Sequence, residues 1–207
     1  DSIIPYTDVG MDEIQALVQD TIFSRSPSAL KKTGIFIGGR DSHLAMDMIV
    51  EAKKHMVPPF EVPVFADPSG AFTTAAGMVA ITEKALKDKF SENFSGKKVV
   101  ILGGTGPVGV ASAVISAKAG YDVLLVGRSL EKAETIAGIC NDKYGSKSVT
   151  GAVDAEKADF LSDADVVFNT GAAGIQLMDD TLIANASNLK ICADVNAVPP
   201  AGIAGVD

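Results

Sequence analysis

Apolar positions along this chain recur with two periods, and the two periods take turns. Over residues 11–24, Ile14, Leu17, Val18, Thr21 and Ile22 fall on one face at helical spacing. Short apolar runs at 34–37 and 61–66 read as strands, and between them lies a helical pattern over 42–56, ended by Pro58-Pro59. A longer helix is expected over 74–89, joined by 91–96 to a second series of alternating elements. That series has strands at 97–102, 122–126, 149–153, 165–169 and 190–195, with helical patterns after 109, around 133–140 and near 179–186. Strands alternating with helices imply a parallel, doubly wound sheet. The expected class is therefore α/β in two lobes, a smaller α/β domain over 1–92 and a doubly wound domain over 93–207.

One strand runs straight into a cluster of glycines. Val99-Val100-Ile101-Leu102-Gly103 is followed by Gly104-Thr105-Gly106-Pro107-Val108-Gly109, and then by Val110, Ala111, Val114, Ile115 and Ala117 at roughly helical spacing. A strand, a G-x-G-x-x-G turn and a helix in that order form the dinucleotide fingerprint of a Rossmann domain. On this reading Gly104 permits the tight turn, Gly106 lets backbone N–H groups reach a pyrophosphate, and Gly109 lets the helix pack on the strand. The anion rests on the unpaired amides and positive dipole end of the helix. Pro107 suits the first turn, where a missing N–H costs nothing.

The next strand selects the nucleotide. It ends at Val126-Gly127-Arg128-Ser129, where an NAD site usually carries an acid for the ribose 2′-hydroxyl. The planar guanidinium of Arg128 instead suits a 2′-phosphate, with Ser129 and Lys132 as further donors. The expected cofactor is NADP. Two more loops follow strands of this lobe, Asn169-Thr170-Gly171-Ala172-Ala173-Gly174 and Asn196-Ala197-Val198-Pro199-Pro200. Ligands on such sheets bind beyond the carboxyl ends of the strands, so Thr170, Gly171, Ala172 and Asn196 are expected near the nicotinamide. In the first lobe the loops 38–41 and 67–74 also end strands, and Arg40, Asp41, Ser69, Thr73 and Thr74 are the candidate substrate contacts. Asp41 and Thr74 each also fit a plain helix N-cap.

Composition narrows the picture. With 47% hydrophobic and only 6% aromatic residues, the 207-residue chain suits a Val/Ile/Ala-rich α/β core. A net charge of −8 argues against nucleic acid, which needs clustered cations. No apolar run approaches a membrane span and no signal peptide is expected. Cys140 and Cys192 make no disulfide framework and read as buried thiols of a reducing cytosol. The chain begins without Met and is expected to be a piece of a longer one. No metal-ligand spacing and no G-x-S-x-G elbow occurs. The two histidines, His43 and His55, sit at the ends of one helical pattern and read as structural. An alcohol dehydrogenase would need a general acid–base or a zinc ion, whereas oxidation to a stabilised cation needs neither.

Four ordered segments resemble one family: Asp67-Pro68-Ser69-Gly70-Ala71-Phe72-Thr73-Thr74-Ala75-Ala76-Gly77, Gly104–Gly109, Val126-Gly127-Arg128, and Ala193-Asp194-Val195-Asn196-Ala197-Val198-Pro199-Pro200. The family is the NADP-dependent methylene-tetrahydromethanopterin dehydrogenases of methylotrophic bacteria, some of which also use methylene-tetrahydrofolate. The resemblance covers nearly the whole chain. It implies a pterin-binding lobe over 1–92, an NADP lobe over 93–207 and a homo-oligomeric, cytoplasmic enzyme of one-carbon metabolism, with a tetrahydropterin one-carbon carrier as substrate. Family members extend beyond both ends of this sequence.

The implied reaction moves a hydride from the methylene carbon between two nitrogens to C4 of the nicotinamide. The methenyl cation left behind is stabilised by nitrogen lone pairs, so no proton moves, and the protein's work is alignment and electrostatic support. Asp67, on the pterin-lobe loop, is the candidate catalytic residue, with Lys31, Lys32 and Arg40 as cations for a carboxylate-bearing tail. Related folate enzymes hydrolyse the ring with a Tyr-x-x-x-Lys pair, and Tyr6, Tyr121 and Tyr144 each lack a lysine four residues on. The alternatives are another two-lobe NADP dehydrogenase of shikimate type, which relies on a lysine–aspartate pair, and a non-catalytic NADP-binding lobe.

Overall fold

The computed structural model describes residues 2–92, 94–196 and 198–206, so Asp1, Asn93, Ala197 and Asp207 lie outside the described residues. The chain packs as two compact units, Asp1–Ser69 and Gly70–Asp207. The sequence expectation placed the division at 92/93. The difference is the long helix α4 (Ala71–Phe90), which buries Ala71, Ala75, Met78, Val79, Thr82 and Leu86 at helical spacing. Met78, Val79 and Leu86 join the apolar cluster of the second unit, so packing assigns the helix there.

In the first unit, α1 (Ile14–Phe23), a short α2 (Pro27–Leu30) and α3 (Ser42–Lys54) accompany two parallel strands, β1 (Ile35–Ile37) and β2 (Val64–Ala66). Ile14, Val18 and Ile22 of α1, Leu30, Met48 and Ala52 form the core. β2 is half the expected length because Pro63 has no N–H to donate to a ladder. Its carbonyl still accepts from the Ile35 amide at 2.9 Å.

The second unit is a five-stranded parallel sheet in the order β5-β4-β3-β6-β7. Its strands are β3 (Lys98–Leu102), β4 (Asp122–Gly127), β5 (Val149–Val153), β6 (Val166–Asn169) and β7 (Ile191–Asp194). Successive residues of β3 serve opposite faces. Val99 and Ile101 pack with α4, with α5 (Pro107–Lys118) and with α6 (Leu130–Asp142). Val100 and Leu102 pack on the other side, with Leu161 of α7 (Lys157–Leu161) and Leu182 and Ile183 of α8 (Asp180–Asn185). Helices thus cover both faces, which is why β3 and β6 read as near-continuous apolar runs. The strand order reverses between β3 and β6, so the loops after these two strands flank the crevice in which such sheets bind ligands.

Polar groups hold the opposite, amino end of the sheet. Lys190 donates to Glu92 at 2.8 Å and to Asp165 at 3.0 Å, and Lys97 pairs with Glu92 as well. Lys190 is raised above its ordinary value by the hydrogen bond to Glu92 first and that to Asp165 second. Glu92 is lowered, mainly by Lys190 and then Lys97. Burial pushes Asp165 upward, but the Lys98 amide and Lys190 together outweigh it and hold the carboxyl below its usual value.

Candidate functional site

The glycine turn after β3 separates into glycines the fold requires and one it does not. Gly103 carries the left-handed backbone, φ 68°, so the tight turn assigned to Gly104 is made one residue earlier. Gly104 is needed for space instead: a Cβ there would lie 2.8 Å from Leu125 Cγ and 2.9 Å from the Ile101 carbonyl. Gly109 is required by helix packing, because its Cβ would meet Gly104 Cα and O at 2.5 Å. Gly106 differs. It is the N-cap of α5 with φ −85° and ψ 170°, backbone that any residue adopts, and its Cβ would meet nothing nearer than the Gly103 carbonyl at 3.7 Å. Neither close packing nor a positive φ demands a glycine there, although an N-cap position favours one. A group that must approach the backbone closely does demand one, and the anion-binding end of α5 lies at that spot. The residues present therefore fit a dinucleotide, with the first-turn amides of Val108 and Gly109 lacking helical partners and Pro107 lacking a donor.

The 2′-phosphate candidates sit beside this turn. The Gly104 amide donates to the Val126 carbonyl at 2.8 Å, joining the turn to the end of β4. A Cβ on Gly127 would come within 2.8 Å of the Thr105 methyl, so Thr105 packs over that strand end. Arg128 and Lys132 are exposed. Ser129 caps α6, its hydroxyl oxygen accepting from the Lys132 amide at 3.4 Å. That use leaves its own O–H available as a donor.

The loops after β6 and β7 meet at a polar knot. Asn169 and Asp194 are partners across the two strands. Nδ2 of Asn169 donates to Oδ1 of Asp194 at 2.7 Å, and the Gly171 amide donates to Oδ1 of Asn169 at 3.0 Å. Asp194 also accepts from the amides of Asn196 at 2.8 Å and Ile203 at 2.9 Å. Asn196 accepts from the Gly174 amide at 3.1 Å and the Val198 amide at 3.2 Å. Thr170 donates its hydroxyl to the Leu102 carbonyl at 3.0 Å, so as a donor it serves the fold. Ala172 is exposed on the loop.

In the first unit the two strand ends bring Arg40, Asp41, Asp67 and Ser69 together. The Asp67 amide donates to the Ile37 carbonyl at 3.1 Å, and the Ser69 hydroxyl to the Gly39 carbonyl at 3.0 Å, so the two loops are tied directly. Oδ1 of Asp41 accepts from the amides of His43 at 2.9 Å and Leu44 at 3.0 Å, which makes it the N-cap of α3. Asp67 is half-buried and Arg40 exposed. The remaining substrate candidates, Thr73 and Thr74, begin α4 in the second unit, and the Thr73 hydroxyl reaches the Gly70 carbonyl at 3.3 Å.

Sequence comparison adds to this geometry. A model of the N-terminal domain of methylene-tetrahydromethanopterin dehydrogenase matches residues 1–69, the span of the first compact unit. An NAD(P)-dependent methylenetetrahydromethanopterin dehydrogenase of Methylorubrum extorquens is 44% identical over the whole of this chain, which spans 71% of that relative. The chain belongs to the methylene-tetrahydromethanopterin dehydrogenase family. A second relative from the same organism, named bifunctional protein MdtA, is 39% identical over the same full span and again 71% covered. Among solved structures, the A chain of dipicolinate synthase from Bacillus subtilis superposes with a TM-score of 0.52 at 19% identity. That match covers 87% of this chain and 56% of the other, and at such identity it speaks for the fold alone. An NADP-dependent shikimate dehydrogenase of Halothermothrix orenii is 32% identical over 95 residues, 45% of this chain, so that resemblance is partial where the family's runs the full length.

Within this family member, Asn169 and Asp194 are the residues that sequence reasoning missed. The available signal was a polar residue closing each of two apolar strands, but the register that makes them partners is a tertiary fact. Cys140 is buried and Cys192 half-buried, and burial pushes both thiols up to about 11. His55 caps the C-terminus of α3 and meets Glu51 at 3.0 Å, while His43 lies in the first turn. Among the described residues, no group of three or more His, Cys, Asp or Glu gathers as a metal site, and no helix is long and apolar enough to cross a membrane.

Proposed function

We propose that this family member moves a hydride reversibly between NADP and the methylene group of tetrahydromethanopterin or tetrahydrofolate, leaving the methenyl form, as a homo-oligomeric cytoplasmic enzyme. The carrying observation is Gly106, a glycine the fold does not need at the head of a twelve-residue helix, next to a strand end bearing Arg128 instead of an acid. NADP supplies the hydride-accepting carbon. The amides of Val108 and Gly109 would hold its pyrophosphate, Arg128 with Ser129 and Lys132 its 2′-phosphate, and the loops carrying Thr170, Gly171, Ala172 and Asn196 its nicotinamide half. Arg128 reads the phosphate through a planar, bidentate fork that a ribose hydroxyl does not fill.

The remaining work of the chain is alignment and charge. No side chain has to remove a proton, because the product's positive charge spreads over the two nitrogens that flank the reacting carbon. On this reading Asp67 accepts hydrogen bonds from the pterin or faces the developing cation. Arg40 and Ser69 hold the carrier's polar groups, and Lys31 and Lys32 are candidate partners for its acidic tail. Asp41 contributes by fixing the start of α3 beside Arg40. The test is spectrophotometric NADP reduction by the purified enzyme with each methylene carrier in turn. Reduction with neither carrier, under conditions where NADP binds, refutes the reading.

A further inference from the structure

The structure assigns to Asp194 a positioning role: its carboxylate locks together the two loops that end β6 and β7 and so holds the nicotinamide side of the site in register. The inference rests on the proposed NADP reading and deepens it. Each element of the lock is a hydrogen bond already described. Oδ1 of Asp194 takes Nδ2 of Asn169 and the Asn196 amide, and Oδ2 takes the Ile203 amide at 2.9 Å. All three partners are donors. A carboxylate satisfies them together, whereas an amide in its place would set an NH2 group against at least one N–H.

The lock reaches the ligand loops through their backbones. Asn169 is fully buried, and its other side-chain atom receives the Gly171 amide; Asn196, 9% exposed, receives the amides of Gly174 and Val198. Gly202 closes over the pair so tightly that a Cβ there would sit 1.6 Å from Asn169 Nδ2 and 3.0 Å from Asp194 Oδ2. At the other end, a Cβ on Gly103 would lie 2.5 Å from Gly171 Cα, so the anchored loop abuts the dinucleotide turn itself. A shift at Asp194 therefore moves Gly171–Gly174 relative to the turn, while Arg128, at the end of β4 on the far side of β3, is untouched. Preorganised backbone of this kind matters to rate because misalignment of about 1 Å can cost on the order of a hundredfold.

The experiment compares Asp194→Asn, and in parallel Asn196→Ser, with the parent enzyme. Three quantities are read: affinity for NADP lacking its nicotinamide (2′-phospho-ADP-ribose), fluorescence of bound NADPH, and kcat and KM with a methylene carrier. The expected result is fragment affinity within about twofold of the parent, an altered NADPH emission, and kcat down at least tenfold with KM for NADP changed much less. Asn196→Ser removes the amide group that receives Gly174 and Val198 and donates to the Pro200 carbonyl at 3.4 Å, leaving the Asn196 backbone amide on Asp194, so it gives the same pattern, more weakly, even if Asp194→Asn fails to fold. Parental kcat and emission in a folded Asp194→Asn, or in Asn196→Ser, overturns the role of Asp194. A parent enzyme that binds neither fragment nor NADP overturns the underlying reading instead.

Discussion

Replacing Gly106 by Ala should weaken NADP binding without weakening the fold, and replacing Gly109 by Ala should do the reverse. At Gly106 the added methyl has room, 3.7 Å from its nearest neighbour, and the backbone at φ −85° accepts alanine. Loss of a favourable N-cap residue costs up to about 1 kcal/mol, while restricting the unfolded chain returns about 0.4–1 kcal/mol, so the apo protein should melt within about 4 °C of the parent. The same methyl occupies the approach to the α5 amides. Forcing the pyrophosphate away from charge-assisted hydrogen bonds costs on the order of 1.5–3 kcal/mol, roughly ten- to a hundredfold in Kd. At NADP equal to a hundred times the parental Kd, the ligand stabilises the parent by about 2.7 kcal/mol. A variant bound about thirtyfold more weakly is stabilised by only about 0.9 kcal/mol. Gly109→Ala drives a Cβ to 2.5 Å from Gly104 backbone atoms, overpacking that costs about 1–3 kcal/mol and lowers the melting temperature by several degrees. Thermal melts with and without NADP, with a calorimetric Kd, read both effects. Parental NADP affinity in Gly106→Ala would refute the argument that this glycine exists for the ligand.

Other outcomes follow from the same geometry. Arg128→Ala should cost roughly ten- to a hundredfold in NADP affinity and leave NAD almost unchanged; calorimetric titration giving equal losses for both would show that Arg128 does not read the 2′-phosphate. Asp67→Asn should slow hydride transfer or weaken carrier binding while NADP affinity stays within about twofold, roughly 0.4 kcal/mol, and normal turnover with either carrier would leave Asp67 a turn residue. Lys190→Met should lower stability at pH 7, and the loss should shrink as Glu92 and Asp165 protonate. Their folded values lie below the ordinary 4.5 and 3.8, so their contribution is present above those values and disappears as pH falls through the lowered ones. Lys190 is raised from 10.5, so its share persists below that value and is lost only in more alkaline solution. Urea melts at pH 7 and pH 3 showing the same deficit would remove the cluster from the account.

The second unit was legible wherever a buried strand met strong punctuation. The strand–glycine–helix succession from Lys98 to Lys118 stands as its apolar pattern implies, because a strand buried on both faces leaves little choice of residue. Residues 149–153 form a strand as expected, although it lies at the sheet edge with Thr150 exposed. Short elements left no such trace: α2 has four residues and α7 five, below the length at which helical periodicity can be seen. Chain order alone groups the long helix with the first lobe, and only its buried face against the second unit's core shows where it packs. Local sequence also named the wrong turn glycine, since a G-x-G-x-x-G spacing does not say which glycine has positive φ; that one is Gly103, outside the motif.

The candidate site was legible in its backbone more than in its side chains, and the reason lies in how hydrogen bonds are spent there. Ser129 receives a backbone amide, Thr170 gives its proton to Leu102, Asn196 receives two amides, Asp41 caps α3 and Ser69 holds Gly39. Small polar residues at strand ends suit ligand contact because such loops bind ligands, yet the same residue types are the ones that satisfy amides left over where a ladder stops. Here they do the second task, and in doing so they fix the loops. What the second unit leaves outward is then mostly main-chain N–H at α5 and two long cations, Arg128 and Lys132, both exposed, while the first unit exposes Arg40. A site built this way suits a reaction that needs two rings held still and no proton moved. It also locates the expected fragility: exchanging an exposed cation should alter which ligand binds, whereas exchanging a small polar residue beneath the loops, Asp194 above all, should alter how well the bound ligands are aligned.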